Sequence, residues 1–236
     1  MSRGRPFLLC FASALFVTAS TASAQVILTL QNATASFSQG GYSVSATIDG
    51  STAPNTGWAH SGLTQNDAAV YETVSDASFS TYNFTISNVD TINPTHIVGR
   101  FRISATTDDR SLFADGLANG GAVAANWTVL NLTNLVSSAG STLTVLGDGS
   151  VLASGPVPSI DIYTFSANTN LTGITGFRLE VLVDASLPNG GPGRAGNGNF
   201  VLSEFAITAV PEPSTYALLG AGLGMIVLAL RRRRRG

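Results

Sequence analysis

Phe79-Ser80-Thr81-Tyr82-Asn83-Phe84-Thr85-Ile86 alternates, from Thr81 onward, between polar and bulky apolar side chains. Successive side chains of a strand point to opposite faces, so Tyr82, Phe84 and Ile86 share one face and Thr81, Asn83 and Thr85 the other. That is a β-strand with one side on a core. Working outward, runs rich in β-branched and aromatic residues predict further strands at 26–30, 42–48, 96–106, 127–132, 142–146, 161–167, 176–184 and 200–208. Leu146-Gly147-Asp148-Gly149-Ser150-Val151 reads as a hairpin, because Asp-Gly suits the positive φ angles of a tight turn. No stretch sustains a helical apolar stripe; residues 66–72 are expected to hold at most a turn of helix. Many short strands with glycine-rich turns imply an all-β fold, a single antiparallel β-sandwich or jelly roll.

The flanks of this region differ from it. Residues 1–24 have the layout of a secretory signal peptide: Arg3 and Arg5, an apolar run over 7–17, then Ala22-Ser23-Ala24 before Gln25. A secretion translocase and a signal peptidase are the partners this implies. The single cysteine, Cys10, lies in the apolar run, so the cleaved protein would have no disulfide, thiol catalyst or cysteine-ligated metal. Residues 25–209 are then long enough for one domain with its own core. Between Gln25 and Val210 stand 13 acidic residues against five arginines and no lysine, a net charge of −8. Nucleic acid is thereby disfavoured as a partner, since its affinity comes from basic groups. An extracellular module suits the balance, as does a hard cation such as Ca2+.

Residues 210–236 begin with Pro211-Glu212-Pro213, continue through an apolar run at 216–230 and end with arginine at 231–235. Those 15 apolar residues reach about 22 Å as a helix, against about 30 Å for a bilayer core. A short transmembrane helix, too short for a permanent span, is the expectation. Arginines beyond it would hold the C-terminus in the cytoplasm. Pro211-Glu212-Pro213-Ser214-Thr215, the run and the arginines together resemble the PEP-CTERM sorting signal of bacterial surface proteins. That resemblance implies an exosortase-type membrane transpeptidase as partner, transient anchoring, and a final place at the cell surface or in the extracellular matrix.

The domain itself resembles discoidin-like modules of the galactose-binding fold. The stretches that carry this are Ala35-Ser36-Phe37-Ser38-Gln39, Ala46-Thr47-Ile48-Asp49-Gly50, Gly57-Trp58-Ala59, Gly99-Arg100-Phe101-Arg102-Ile103-Ser104, Arg178-Leu179-Glu180-Val181 and Asn197 to Phe205. In many such modules calcium ties an early Asp-Gly loop to a glutamate on the last strand. Asp49 and Glu204 occupy those places, and Ser51 and Thr52 could add oxygen ligands. Ser51 stands where the family more often has Asp or Asn. The other reading makes Asp49 an ordinary Asp-Gly turn residue and Glu204 a solvated strand residue.

Sugar binding requires an aromatic platform with polar groups beside it. Trp58, Trp127, Tyr71, Tyr82 and Tyr163 are the candidate platforms; His60, Asn66 and Arg194 are candidate polar partners. The tryptophans read equally as core residues. The glycine-rich stretch 187–199 reads as an ordered loop entering the last strand. No nucleophile motif, His-Glu-x-x-His or phosphate loop is present, and Asp108-Asp109 would point to opposite faces of a strand. An enzyme is therefore not expected. Two functions stand: binding of extracellular polysaccharide, or a structural envelope or matrix role without a small ligand.

Overall fold

The computed structural model describes residues 25–60, 65–211, 222–226 and 230–231. The signal-peptide assignment, Glu212 and Pro213 lie outside these residues. Among the described residues the strands in chain order are β1 (Val26–Ile27), β2 (Leu30–Ala35), β3 (Trp58–His60), β4 (Asp67–Ala77), β5 (Thr81–Asn88), β6 (Arg100–Thr106) and β7 (Thr128–Val129). There follow β8 (Leu132–Ser137), β9 (Thr142–Val145), β10 (Val151–Ser154), β11 (Asp161–Asn168), β12 (Ile174–Val181), β13 (Phe200–Leu202) and β14 (Glu204–Val210). One sheet runs β1-β14-β5-β11-β8, a second β2-β4-β12-β6-β10-β9 with β7 on β6, and β13 pairs β3. All the pairings of named strands are antiparallel. The molecule is an antiparallel β-sandwich.

The alternating stretch forms β5, at the centre of the first sheet between β14 and β11. Tyr82, Phe84 and Ile86 are buried, and Phe84 packs on Phe165, Phe177 and Phe205 with ring centroids 5.4, 5.7 and 6.3 Å apart. Burying each such side chain contributes about 1.5–3 kcal/mol, so these rings hold the two sheets together. The Asp148-Gly149 hairpin also forms: Gly149 has φ 77° and Val145 faces Val151 across it.

Two expectations are corrected. Residues 42–48 are not a strand; Val44–Thr47 is a 3-10 turn. Ser43 caps it by accepting from the Ser45 N–H, and the Thr47 hydroxyl donates to the Val44 carbonyl. Local side-chain bonds of this kind compete with a ladder. Residues 66–72 are not helical but open β4, the longest strand, held between β2 and β12. Two flanking ladders outweigh the weak helical preference of Ala68 and Ala69.

The outer face of the second sheet is covered by residues 110–127. Phe113 and Trp127 pack edge to face on it, and Gly176 makes room: a Cβ there would lie 2.3 Å from Phe113 Cε2. Trp127 donates its Nε1–H to Val123 O, and the Arg178 guanidinium lies 5.2 Å over its ring.

Candidate functional site

β5 runs from Thr81 to Asn88 and β14 returns from Glu204 to Val210, so the sandwich has two ends of unlike content. At the Val210 end lie β1 and the 78–80 and 169–173 connections. At the Glu204 end lie the 40–57 and 88–99 segments and the loop 184–199. The candidate site residues gather at the second end.

Trp58 sits wholly inside: its ring meets Phe200 edge to face at 5.1 Å and its Nε1–H donates to Phe37 O at 2.8 Å. A ring with no exposed face offers a sugar nothing to stack on. Tyr71, Tyr82 and Tyr163 are likewise buried. His60 is buried with its Nδ1 2.5 Å from Asp67 Oδ2, stacked near Phe200, while the Ser36 hydroxyl donates to Asp67 Oδ1. Asn66 accepts from the Val183 N–H. Arg194 is buried too, donating to the Ser141 hydroxyl at 2.6 Å and to Gly155 O at 2.8 Å. It fastens the loop 187–199 to the turn between β8 and β9, so that loop is ordered. Trp58, His60 and Arg194 do not converge on a cleft. Each is buried and bonded within the sandwich.

Asp49 and Glu204 do converge. The 3-10 turn delivers Asp49-Gly50 to the first residue of β14, where Gly50 N–H donates to Glu204 Oε1 at 3.3 Å. Asp49 Oδ1 accepts from the Ser51 N–H, and the Ser51 hydroxyl from the Ala53 N–H. Glu204 Oε2 is buried without a hydrogen-bond partner. Burial pushes the Glu204 carboxyl up to about 7; the Gly50 N–H opposes that shift and the Asp49 charge adds to it. Burial holds the Tyr71 phenol above its ordinary range, with the Thr47 hydroxyl opposing and the Glu204 charge reinforcing. An orphaned carboxylate oxygen beside a second carboxylate fits a cation, and the donors are hard oxygens. No cluster of three His, Cys, Asp or Glu is present among the described residues, so hydroxyl and backbone oxygens would have to complete the shell.

A further cluster at this end was not anticipated. Tyr42 donates its hydroxyl to Asn55 Oδ1 and accepts from Asn93 Nδ2 at 2.8 Å. Asn93 Nδ2 also reaches Asp90 Oδ2, while Asp90 Oδ1 accepts the backbone N–H groups of Asn55, Ile92 and Asn93. These bonds hold the Asp90 carboxyl below its usual value although burial works against them as the largest single influence. The Tyr42 ring is half-buried and Asn55 exposed. No sequence motif marks this set, which joins residues from two loops.

At the other end the sequence pattern is decisive. The matching stretch, residues 209–234, fits the PEP-CTERM protein-sorting motif. The chain carries a PEP-CTERM sorting signal. That signal marks an exported protein anchored at the membrane. Its first residues, Ala209 and Val210, are the last of β14, so the PEP-CTERM segment leaves the sandwich without an intervening linker. No helix among the described residues is long and apolar enough to cross a membrane. The expectation of a transmembrane helix is thus unsupported, in keeping with the 15-residue run that falls short of the bilayer core.

No curated protein is detectably similar to this chain. Among solved structures it is similar to the third family 32 carbohydrate-binding module of a family 31 glycoside hydrolase from Clostridium perfringens, at 14% identity and TM-score 0.44, covering 74% of this chain and 87% of that one. The family 32 module of Streptococcus pneumoniae EndoD is similar at 8% and 0.40, covering 78% and 94%. Reduced XRCC1, solved with the DNA polymerase β catalytic domain, is similar at 8% and 0.42, covering 79% and 100%. The two family 32 modules are galactose-binding-like β-sandwiches, and the likeness is one of architecture.

Proposed function

We propose that this is an exported bacterial surface or matrix protein whose sandwich binds extracellular polysaccharide at the Glu204 end. The observation that carries the reading is the Tyr42 cluster. A half-buried aromatic ring bordered by Asn55, Asn93 and Asp90 combines a face for the apolar side of a pyranose with amide and carboxylate groups for its hydroxyls. Polysaccharide pull-down tests it: Tyr42→Ala should lose retention on the host's extracellular polysaccharide while keeping the melting temperature within a few degrees. Equal retention of the variant would overturn this site.

Asp49 and Glu204, with oxygens of Ser51 and Thr52, would hold a structural Ca2+ that pins the first loop to the closing strand. The ion would supply charge neutralisation and rigidity there, with no step of chemistry routed through it.

The sorting signal supports passage through the secretion translocase, removal of residues 1–24 by signal peptidase, and anchoring with the arginines in the cytoplasm. An exosortase-type transpeptidase would then cut near Pro211-Glu212-Pro213. Mass spectrometry of the surface form should find a start near Gln25 and loss of residues 231–235. Retained arginines would leave a simple tail anchor.

A structural matrix component without a small ligand is the second reading. It is favoured by the commitment of Trp58, His60 and Arg194 to packing. Wild-type protein that no polysaccharide retains would support it.

A further inference from the structure

The Val210 end of the sandwich differs from the rest of the surface. β1 lies at the sheet edge beside β14, with Val26 facing Ala209 and Ile27 facing Thr208. Ile27 is 77% exposed, Val26 42% and Val74, across the gap on β4, 52%. Together with Leu28, Ala77 and Phe79 they line a groove of about 250 Å³. The connections 78–80 and 169–173 beside it carry no charged residue. Thr29, Thr73 and Ser75 also line the groove, and its one charged lining residue, Asp76, is paired with Arg110, while Asp108 and Asp109 follow β6 at the rim.

Where the chain leaves this end limits what can cover it. The described strand stops at Val210, and the apolar run of the sorting signal starts at Tyr216. The five residues from Pro211 to Thr215, even fully extended, span about 17 Å. The headgroup zone itself occupies about 5–8 Å of that distance. A sandwich held by this signal therefore has its Val210 end in or against the headgroups, and its Glu204 end facing away.

We propose that the face formed by Val26, Ile27, Val74 and Phe79 is a membrane-contact surface, which seats the module on the lipid bilayer with the Asp49–Glu204 and Tyr42 clusters pointing outward. The inference rests on the anchored reading above and adds to it an orientation and a lipid contact. Exposed apolar side chains beside an ion-paired Asp76 and an acidic rim suit zwitterionic lipid and gain nothing from anionic headgroups. Exposed apolar groups gathered at one place mark such contacts.

Cys10 is the only cysteine, so the full chain with Cys10→Ser accepts single reporters. Ile27→Cys and Val74→Cys would carry a polarity-sensitive fluorophore, and Ile92→Cys would serve as control. Ile92 is 63% exposed but follows the opposite end of β5. On phosphatidylcholine vesicles the labels at 27 and 74 should blue-shift, and brominated lipid should quench them at least twofold more than the label at 92. Ile27→Ser combined with Val74→Ser should free the label placed at Phe79→Cys from quenching while the chain still sediments with vesicles. Vesicle-bound chain with equal quenching at 27 and 92 would overturn the contact and leave the anchoring intact. Chain that fails to sediment with vesicles would overturn the anchoring and the contact with it.

Discussion

Asp161 and Glu204 open the two strands that flank β5, at the same end of the sandwich, yet they live differently. Asp161 is buried and accepts from the hydroxyls of Ser137, Ser138 and Ser141 at 2.6, 3.1 and 2.6 Å and from the Ala139 N–H at 3.0 Å. Ser141 passes the network on to Arg194. Glu204 accepts one long bond from Gly50 and leaves Oε2 with none. A fully satisfied buried network rigidifies, whereas an unsatisfied buried group costs the full desolvation of that group. The first region is satisfied by the chain's own donors, and the second leaves one carboxylate oxygen without a hydrogen bond.

Breaking the satisfied region should have the largest effect. Asp161→Ala strands three hydroxyls and an N–H, and should cost about 3–5 kcal/mol. Urea unfolding would show this as a lower midpoint at unchanged slope. A loss below about 1 kcal/mol would mean the network is ornamental.

The unsatisfied region should respond to an ion instead. At a hundredfold excess over its dissociation constant, Ca2+ should stabilise the fold by about 2.7 kcal/mol, or roughly 5–10 °C in melting temperature. EDTA should reverse the gain, and Glu204→Gln should abolish it. Asp161→Ala, by contrast, should leave the calcium increment unchanged.

Gly193 sharpens the contrast from the side of the loop that delivers Arg194. A Cβ there would lie 1.9 Å from Asn199 O, so Gly193→Ala must shift the backbone that aims Arg194 at Ser141. The expected cost is about 1–3 kcal/mol by thermal melting. A neutral substitution would show that the loop contributes little to holding Arg194.

The smallest effect is in pH. The Glu204 carboxyl is raised from 4.5 to about 7, first by burial, with the Gly50 N–H opposing and the Asp49 charge reinforcing. The stability this group allows is fully present below pH 4.5 and is lost as pH rises through about 7. Because the carboxyl is partly solvated, the loss in EDTA should be only about 1 kcal/mol. Melting scans from pH 4.5 to 8 should show it, Glu204→Gln should flatten it, and saturating Ca2+ should remove it. A profile identical for wild type and Glu204→Gln would show that Glu204 is not the group responsible.

Much of the first-order architecture was legible from local pattern. The alternation in β5, the Asp148-Gly149 turn and the β-branched runs act over a few residues, and the same stretches are strands or turns in the fold. Residues 42–48 misled because Val44, Ala46 and Ile48 alternate like a strand, while Ser43 and Thr47 supply the hydrogen bonds of a 3-10 turn. Thr34-Ala35 of β2 has little strand composition of its own and is extended because β4 pairs with it, beyond a bulge at Asn32, whose φ is 49°.

The candidate site divides along the same line. Asp49 and Glu204 hold their places by resemblance to a family, and their meeting runs through Gly50, 154 positions from Glu204. Trp58 was named for its chemistry, but whether an aromatic ring faces water depends on which other strand covers it. Here Phe200 and the Phe37 carbonyl do.

By itself the sequence determined the β-rich composition, the acidic and cysteine-free domain between its two flanks, and the sorting signal, because each depends on residue type and short spacing alone. Only the tertiary structure decided which carboxylate is satisfied, which aromatic is exposed, and that the sorting signal emerges beside Val26 and Ile27. Those facts depend on pairing between strands distant in sequence. Alternation chooses a face for each side chain, and packing alone chooses what meets it there.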